Sequence, residues 1–142
     1  MVSRQPQTNR GRGLWLLAWG GGGALVAWGL AVLGFGLAAG PGALAGAAAG
    51  GAVTWVFFIL GQLVQVALAD AEALIAMMSA MLSYVIRVVG LILAAVLLNR
   101  FLPDLDGLAI AVAAIAVAVG WTSAEIWAFT RLRIPAFDPP TR

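Results

Sequence analysis

The sequence contains no cysteine and no histidine, and all eight of its basic residues are arginines. Without cysteine there are no disulfides and no thiol chemistry, and without histidine there is no imidazole catalysis and none of the usual zinc ligand sets. Charge is scarce as well. Only 10% of the 142 residues are charged, whereas a soluble domain has about 25%. Such a chain cannot cover its surface with groups that water solvates.

What the sequence does contain is apolar, with 63% hydrophobic residues and a mean hydropathy of +1.01. A membrane-spanning helix needs about 20 mostly apolar residues. Four segments satisfy this, at about residues 14–39, 43–69, 74–98 and 108–129. We therefore predict an all-α integral membrane protein with four transmembrane helices in two hairpins. Its single transmembrane domain would cover residues 14–132, between tails at residues 1–13 and 133–142.

The breaks between the segments differ in strength. Pro41 lies between two glycines, and Pro103 lies in a loop with two aspartates and a glycine, so both mark turns. Residues 69–73 contain neither Gly nor Pro. A turn is still needed there, because one helix over residues 43–98 would be roughly 80 Å long. We expect Asp70 to cap the helix that follows.

Basic residues outside the first and last segments predict the topology. Cytoplasmic segments collect arginine and lysine, so both termini are expected in the cytoplasm, which requires an even number of spans. Membrane topology therefore accounts for the arginines that raise the pI to about 10.5, and a nucleic-acid partner is not needed to explain them. The first helix is then a signal anchor that is retained. The arginines concerned are Arg4, Arg10, Arg12, Arg131, Arg133 and Arg142.

Small residues recur at helical spacing in the second segment. Gly42, Gly46 and Gly50 are four residues apart, with Thr54 one step further, so they share one helix face. The missing side chains let another backbone approach closely. Two interpretations stay open: packing against the first helix of the same chain, or docking of a helix from another protein.

Arg87 lies near the middle of the third segment, and Ser83 and Ser79 precede it at four-residue intervals on the same face. An arginine at mid-helix costs roughly 2.5–3.5 kcal/mol on insertion scales. We therefore expect its guanidinium to face protein and not lipid.

Glu125 is the one acidic residue inside another apolar segment. On antiparallel helices, Arg87 and Glu125 would differ in depth by about 10 Å, and Gln62 and Gln65 could bridge that gap. Two interpretations stay open here too. Arg87, Glu125, Ser83, Gln62 and Gln65 form an internal polar network, or the arginine is available to a carboxylate of another protein.

These residues do not form a recognisable catalytic constellation, because acid–base or nucleophilic work needs a tuned group with an orienting partner. The glycine run at residues 20–23 also lacks the Lys-Ser/Thr of a phosphate-binding loop. We expect no catalytic residue, no metal site and no cofactor.

Residues 79–139 resemble a known family. The sequence has SYVIRVVGLIL in the third segment and GWTSAEIWAFTRLRIPAFDP at the end of the fourth. This pattern is similar to ATP synthase protein I, an accessory protein of the F-type ATP synthase, in its actinobacterial-type forms. The matching features are Ser83-Tyr84 ahead of Arg87, Trp121 four residues before Glu125, and Arg131-x-Arg133-Ile134-Pro135 with Asp138.

The resemblance implies a multi-pass protein of the bacterial cell membrane that assists assembly of the ring of c subunits. Its partners would be c subunits, subunit a and membrane lipids, and a role in supplying Mg²⁺ has been proposed for the family. A c subunit carries a carboxylate near mid-membrane, and Arg87 could serve as its temporary charge partner. The glycine stripe could pack against c-subunit helices. The family usually has a basic segment between helices two and three, whereas this chain has Asp70 and Glu72.

Two other functions stay open at this point. One is a small ion transporter or channel, for example for Mg²⁺, with the polar residues lining a pathway. The other is a structural subunit of a different membrane complex.

Overall fold

The computed structural model describes residues 8–132, which form four α-helices and no strands. The helices are α1 (Asn9–Ala38), α2 (Pro41–Ala67), α3 (Ala73–Phe101) and α4 (Gly107–Arg131). Each is long and apolar enough to cross a membrane. The prediction of an all-α chain with four helices able to span a membrane is therefore confirmed. Residues 1–7 of the predicted N-terminal tail and the whole predicted C-terminal tail, residues 133–142, lie outside the described residues.

Helix α1 begins five residues earlier than predicted. The side chain of Thr8 accepts a hydrogen bond from the amide of Gly11 at 3.1 Å and so caps the helix. Residues 9–13 are thus helical and not part of a tail.

Helix α2 begins directly at Pro41, whose missing N–H suits the first turn. It follows Gly40, which has a φ of +84°.

The expectation that Asp70 caps α3 is wrong. The N-cap position is Glu72, and no side chain caps this helix. The Asp70 carboxylate instead pairs with Nε of Arg10 at 3.0 Å, which links the α2–α3 turn to the start of α1. At α4 the cap is Asp106, which accepts from Leu108 N at 2.8 Å and Ala109 N at 3.2 Å.

Helices α1, α2 and α4 pack against one another, whereas α3 packs against α2 and meets α4 at few points. In the described part of the chain, α1 and α3 make no contact. The predicted second hairpin, α3 with α4, is therefore not a packed pair. The reason is that the small residues of α4 pack against α1 and α2.

Helices α1 and α4 approach through glycines in both. A Cβ added at Gly23 would lie 2.7 Å from the carbonyl oxygen of Gly120, and one added at Gly120 would lie 2.8 Å from that of Gly23. Beside this crossing, the fully buried Trp121 packs over Gly20. Glycine thus permits backbone-to-backbone contact here.

The glycine stripe of α2 faces the beginning of α4, and not α1 as one interpretation expected. A Cβ at Gly46 would lie 2.7 Å from the Asp106 carbonyl oxygen, and one at Gly50 would lie 2.5 Å from that of Ile110. The neighbouring face of α2 meets α1, where the Trp28 indole donates to the Ala47 carbonyl at 3.2 Å. Gly46 and Gly50 are thus buried within this chain, whereas Gly42 at the start of the helix is exposed.

Candidate functional site

Arg87 lies at the centre of α3, fourteen residues from either end and so about 21 Å from each. Its Nη2 donates to Oε1 of Gln62 on α2 at 3.1 Å. Its Cζ lies 4.8 Å from the ring centroid of Phe58 and 5.9 Å from that of Trp121 on α4, both within cation–π range. Three helices thus surround one guanidinium.

Glu125 is near this guanidinium but does not pair with it directly. Its Oε2 accepts from the Trp121 indole N–H at 3.1 Å. Both groups lie within the described residues, and no direct ion pair joins them. Trp121 therefore orients the carboxylate with its N–H while its ring lies beside the cation.

A second group of polar side chains, beside Arg87, connects α3 to α2 through hydrogen bonds. The Ser83 hydroxyl donates to the Gly61 carbonyl at 2.8 Å, and the Gln65 amide donates to the Ser83 hydroxyl at 3.2 Å. Ser79 shares this helix face but donates to Ala76 of its own helix at 2.7 Å. The structure thus brings Arg87, Gln62, Gln65 and Ser83 together, with Glu125 attached through Trp121.

Sequence reasoning missed three contributors to this site. A Cβ added at Gly61 would lie 2.5 Å from Arg87 Nε and 2.8 Å from Ser83 Oγ, so the glycine leaves room for both side chains as they are placed. Phe58 and Trp121 provide the aromatic contacts. The spacing in α2 could have indicated part of this. Phe58, Gln62 and Gln65 are separated by four and three residues, and so they share one helix face with Gly61.

The guanidinium keeps unused donor capacity. Its Nε is buried and has no hydrogen-bond partner among the described residues. A buried donor without an acceptor costs about 1–3 kcal/mol, and more when it is charged. A carboxylate matches a guanidinium in geometry, so an anionic acceptor that reached this group would stabilise it.

Within residues 8–132, no three acidic side chains come together in a way that could hold a metal ion. Compared with protein-family models, curated proteins and solved structures, the chain matches none.

Proposed function

We propose that this chain is a non-catalytic accessory protein of the F-type ATP synthase that assists assembly of the membrane c-ring. The observation that carries the proposal is the state of Arg87. A guanidinium at mid-membrane is held by one neutral amide and two aromatic rings, with no direct ion pair to Glu125 and one buried N–H unused.

The chemistry of the partner fits this state. A lone carboxylate in the middle of a bilayer is costly, as is a lone arginine. A c subunit that has not yet joined its ring carries such a carboxylate, and Arg87 offers it a cation at a similar depth. The resemblance of residues 79–139 to ATP synthase protein I points to the same partner.

Access to the site supports the proposal as well. Because α3 packs mainly against α2 and meets α4 at few points, much of its surface is open to a neighbouring helix. The outer face of α3 presents large apolar side chains to a neighbouring helix, among them Met81, Tyr84 and Val88. Gly46 and Gly50 are not part of this surface, since the beginning of α4 covers them.

Co-purification tests the proposal. The tagged full-length chain is isolated in mild detergent from membranes that contain the synthase, and captured c subunit is measured per chain. Arg87→Gln is expected to lower capture at least about tenfold, because removing one partner of a desolvated charge pair costs about 2 kcal/mol or more. Arg87→Lys should be intermediate, since it keeps the charge and loses the planar fork.

Arg100→Gln is the matched control, because Arg100 lies in the last turn of the same helix and is exposed. Capture that is equal in all variants, or absent in the wild type, contradicts the proposal. Movement of Mg²⁺ or another ion into liposomes that contain this chain alone would indicate a transporter instead.

A further inference from the structure

Glu125 is the carboxylate of the polar site, and it does not pair with the guanidinium beside it. Its Oε2 accepts a hydrogen bond from the Trp121 indole N–H at 3.1 Å. The guanidinium of Arg87 donates instead to the neutral Gln62 amide at 3.1 Å, and its Nε has no acceptor within residues 8–132. Charge-assisted hydrogen bonds are about twice as strong as neutral ones, so opposite charges in a desolvated site usually pair. The separation of these two charges therefore needs a structural cause.

Packing fixes the position of the Trp121 indole. The side chain is fully buried, and its ring centroid lies 5.6 Å from that of Phe58 on α2. On α1, a Cβ added at Gly20 would lie 2.8 Å from Cε2 of the indole and 2.9 Å from its Nε1, so the ring fills the space that this glycine leaves. The position of the indole N–H is thus determined by α1 and α2, and not by the carboxylate that it binds.

Glu125 follows Trp121 by four residues, so both lie on one face of α4. The hydrogen bond between them closes within a single helical turn. If the carboxylate left the indole, the N–H would be buried without an acceptor, which is unfavourable. The same indole contacts the cation, since Cζ of Arg87 lies 5.9 Å from its ring centroid. One side chain thus binds the carboxylate with its N–H and the cation with its ring.

We infer that Trp121 is a positioning residue of this site: its N–H holds Glu125 away from Arg87, so the guanidinium stays available to the carboxylate of a partner helix. Glu125 is then an internal competitor for the same cation. A direct Arg87–Glu125 pair would neutralise the guanidinium, and separating a desolvated ion pair is costly. The identity of the partner rests on the proposed function, whereas the role of Trp121 towards Glu125 is a property of the isolated chain.

A double-mutant cycle on the isolated full-length chain tests the role of Trp121. Arg87→Gln, Glu125→Gln and the combination of both are compared by denaturant unfolding in detergent. The coupling is the factor by which their effects on the unfolding equilibrium constant fail to multiply. The cycle is run in the wild type and in Trp121→Phe, which keeps an aromatic ring and loses the N–H. The coupling is expected to be at least about fivefold larger in Trp121→Phe, because the released carboxylate pairs with the cation. An equal or smaller coupling overturns the inference.

Trp28→Phe is the matched control, because it also removes an indole hydrogen bond, here one to the Ala47 carbonyl at 3.2 Å and not to Glu125. It should leave the coupling unchanged. An increase of the same size in this control would assign the effect to weakened packing and overturn the inference. If Trp121→Phe does not fold, 3-benzothienylalanine at position 121 takes its place, since it keeps the double ring of tryptophan and has no N–H. The same increase in coupling is expected for it.

Capture of c subunit by co-purification tests the consequence for the partner. Trp121→Phe is expected to lower capture at least about threefold, and adding Glu125→Gln should restore it, because a neutral amide competes more weakly for the guanidinium than a carboxylate does. Unchanged capture in Trp121→Phe overturns the inference, as does a loss that Glu125→Gln does not restore, since that loss indicates a packing defect. If the wild type captures no c subunit, the proposed function fails, and the double-mutant cycle still decides the role of Trp121.

Discussion

At the scale of single residues, Arg87 shows how a membrane helix keeps a cation without a direct counter-ion. Its insertion costs roughly 2.5–3.5 kcal/mol. A hydrogen bond to a charged group contributes about 1.5–3 kcal/mol, and a desolvated cation–π contact contributes up to about 2 kcal/mol. Gln62 and the two rings thus offset much of this cost, and the buried Nε stays without an acceptor among the described residues.

Gln62→Leu tests this account. Leucine is similar in size but removes the acceptor of the guanidinium, so the free energy of unfolding should fall by about 1.5–3 kcal/mol. The control is Gln65→Leu, because the Gln65 amide bonds a neutral hydroxyl and should cost only about 0.5–1.5 kcal/mol. Denaturant unfolding in detergent measures both. Equal losses would show that the hydrogen bond from Arg87 to Gln62 stabilises the fold no more than a neutral hydrogen bond does.

The polar members of the site could be selected from sequence, because each stands out in an apolar segment. Their neighbours could not be. The sequence permitted an estimate of the depth difference between Arg87 and Glu125 but did not identify their neighbours. Only helix rotation and packing reveal that Trp121 lies between them.

At the scale of helices, contact between backbones sets the arrangement. Gly50→Ala places a methyl group 2.5 Å from the Ile110 carbonyl oxygen, so α4 must move away from α2. We expect a loss of about 1–3 kcal/mol of stability, typical of overpacking. Gly34→Ala is the control, since nothing lies within 4 Å of its added Cβ, and it should change stability by less than about 1 kcal/mol.

Thermal unfolding in detergent compares the two alanine variants. If Gly50→Ala melts at the wild-type temperature, the contact between α2 and α4 is not close enough to require glycine. Sequence alone placed Gly42, Gly46 and Gly50 on one face, because spacing determines the face. It could not identify α4 as the neighbour, because spacing says nothing about which helix covers that face.

The four helices themselves followed from length and hydropathy, since a bilayer demands about 20 apolar residues per span. The weak interaction of α3 with α4 did not follow. Sequential helices usually pack together, and the preference of α4 for α1 depends on glycines far away in the sequence, at positions 23 and 120.

At the scale of the whole molecule, four spans would place both ends of the chain on one side of the membrane. Contacts at the helix ends agree. The ring centroid of Trp19, in the first half of α1, lies 4.8 Å from that of Trp127 near the end of α4, with the rings tilted by 58°. The Cζ of Arg131 lies 4.9 Å from the Trp127 ring centroid. Aromatic and basic residues collect at membrane interfaces in this way.

We predict that both ends are cytoplasmic. A reporter that is active only in the cytoplasm should give signal when fused to either end, because the arginines flank the first and last spans. A reporter that is active only outside the cytoplasm should give signal when inserted in the α3–α4 loop, and it serves as the control. Signal at one end alone would require an odd number of spans.

The crossing of α1 and α4 has a consequence for biosynthesis. Ribosomes add about 5–20 residues per second, so α1 waits roughly 5–20 s before α4, its most extensive neighbour, has been made. During that interval the glycine face around Gly20 and Gly23 has no Trp121 and no Gly120 to cover it. Lipid or the insertion machinery must occupy this face in the meantime. A nascent chain that stalls before α4 therefore displays an uncovered α1 face, which membrane quality control can recognise.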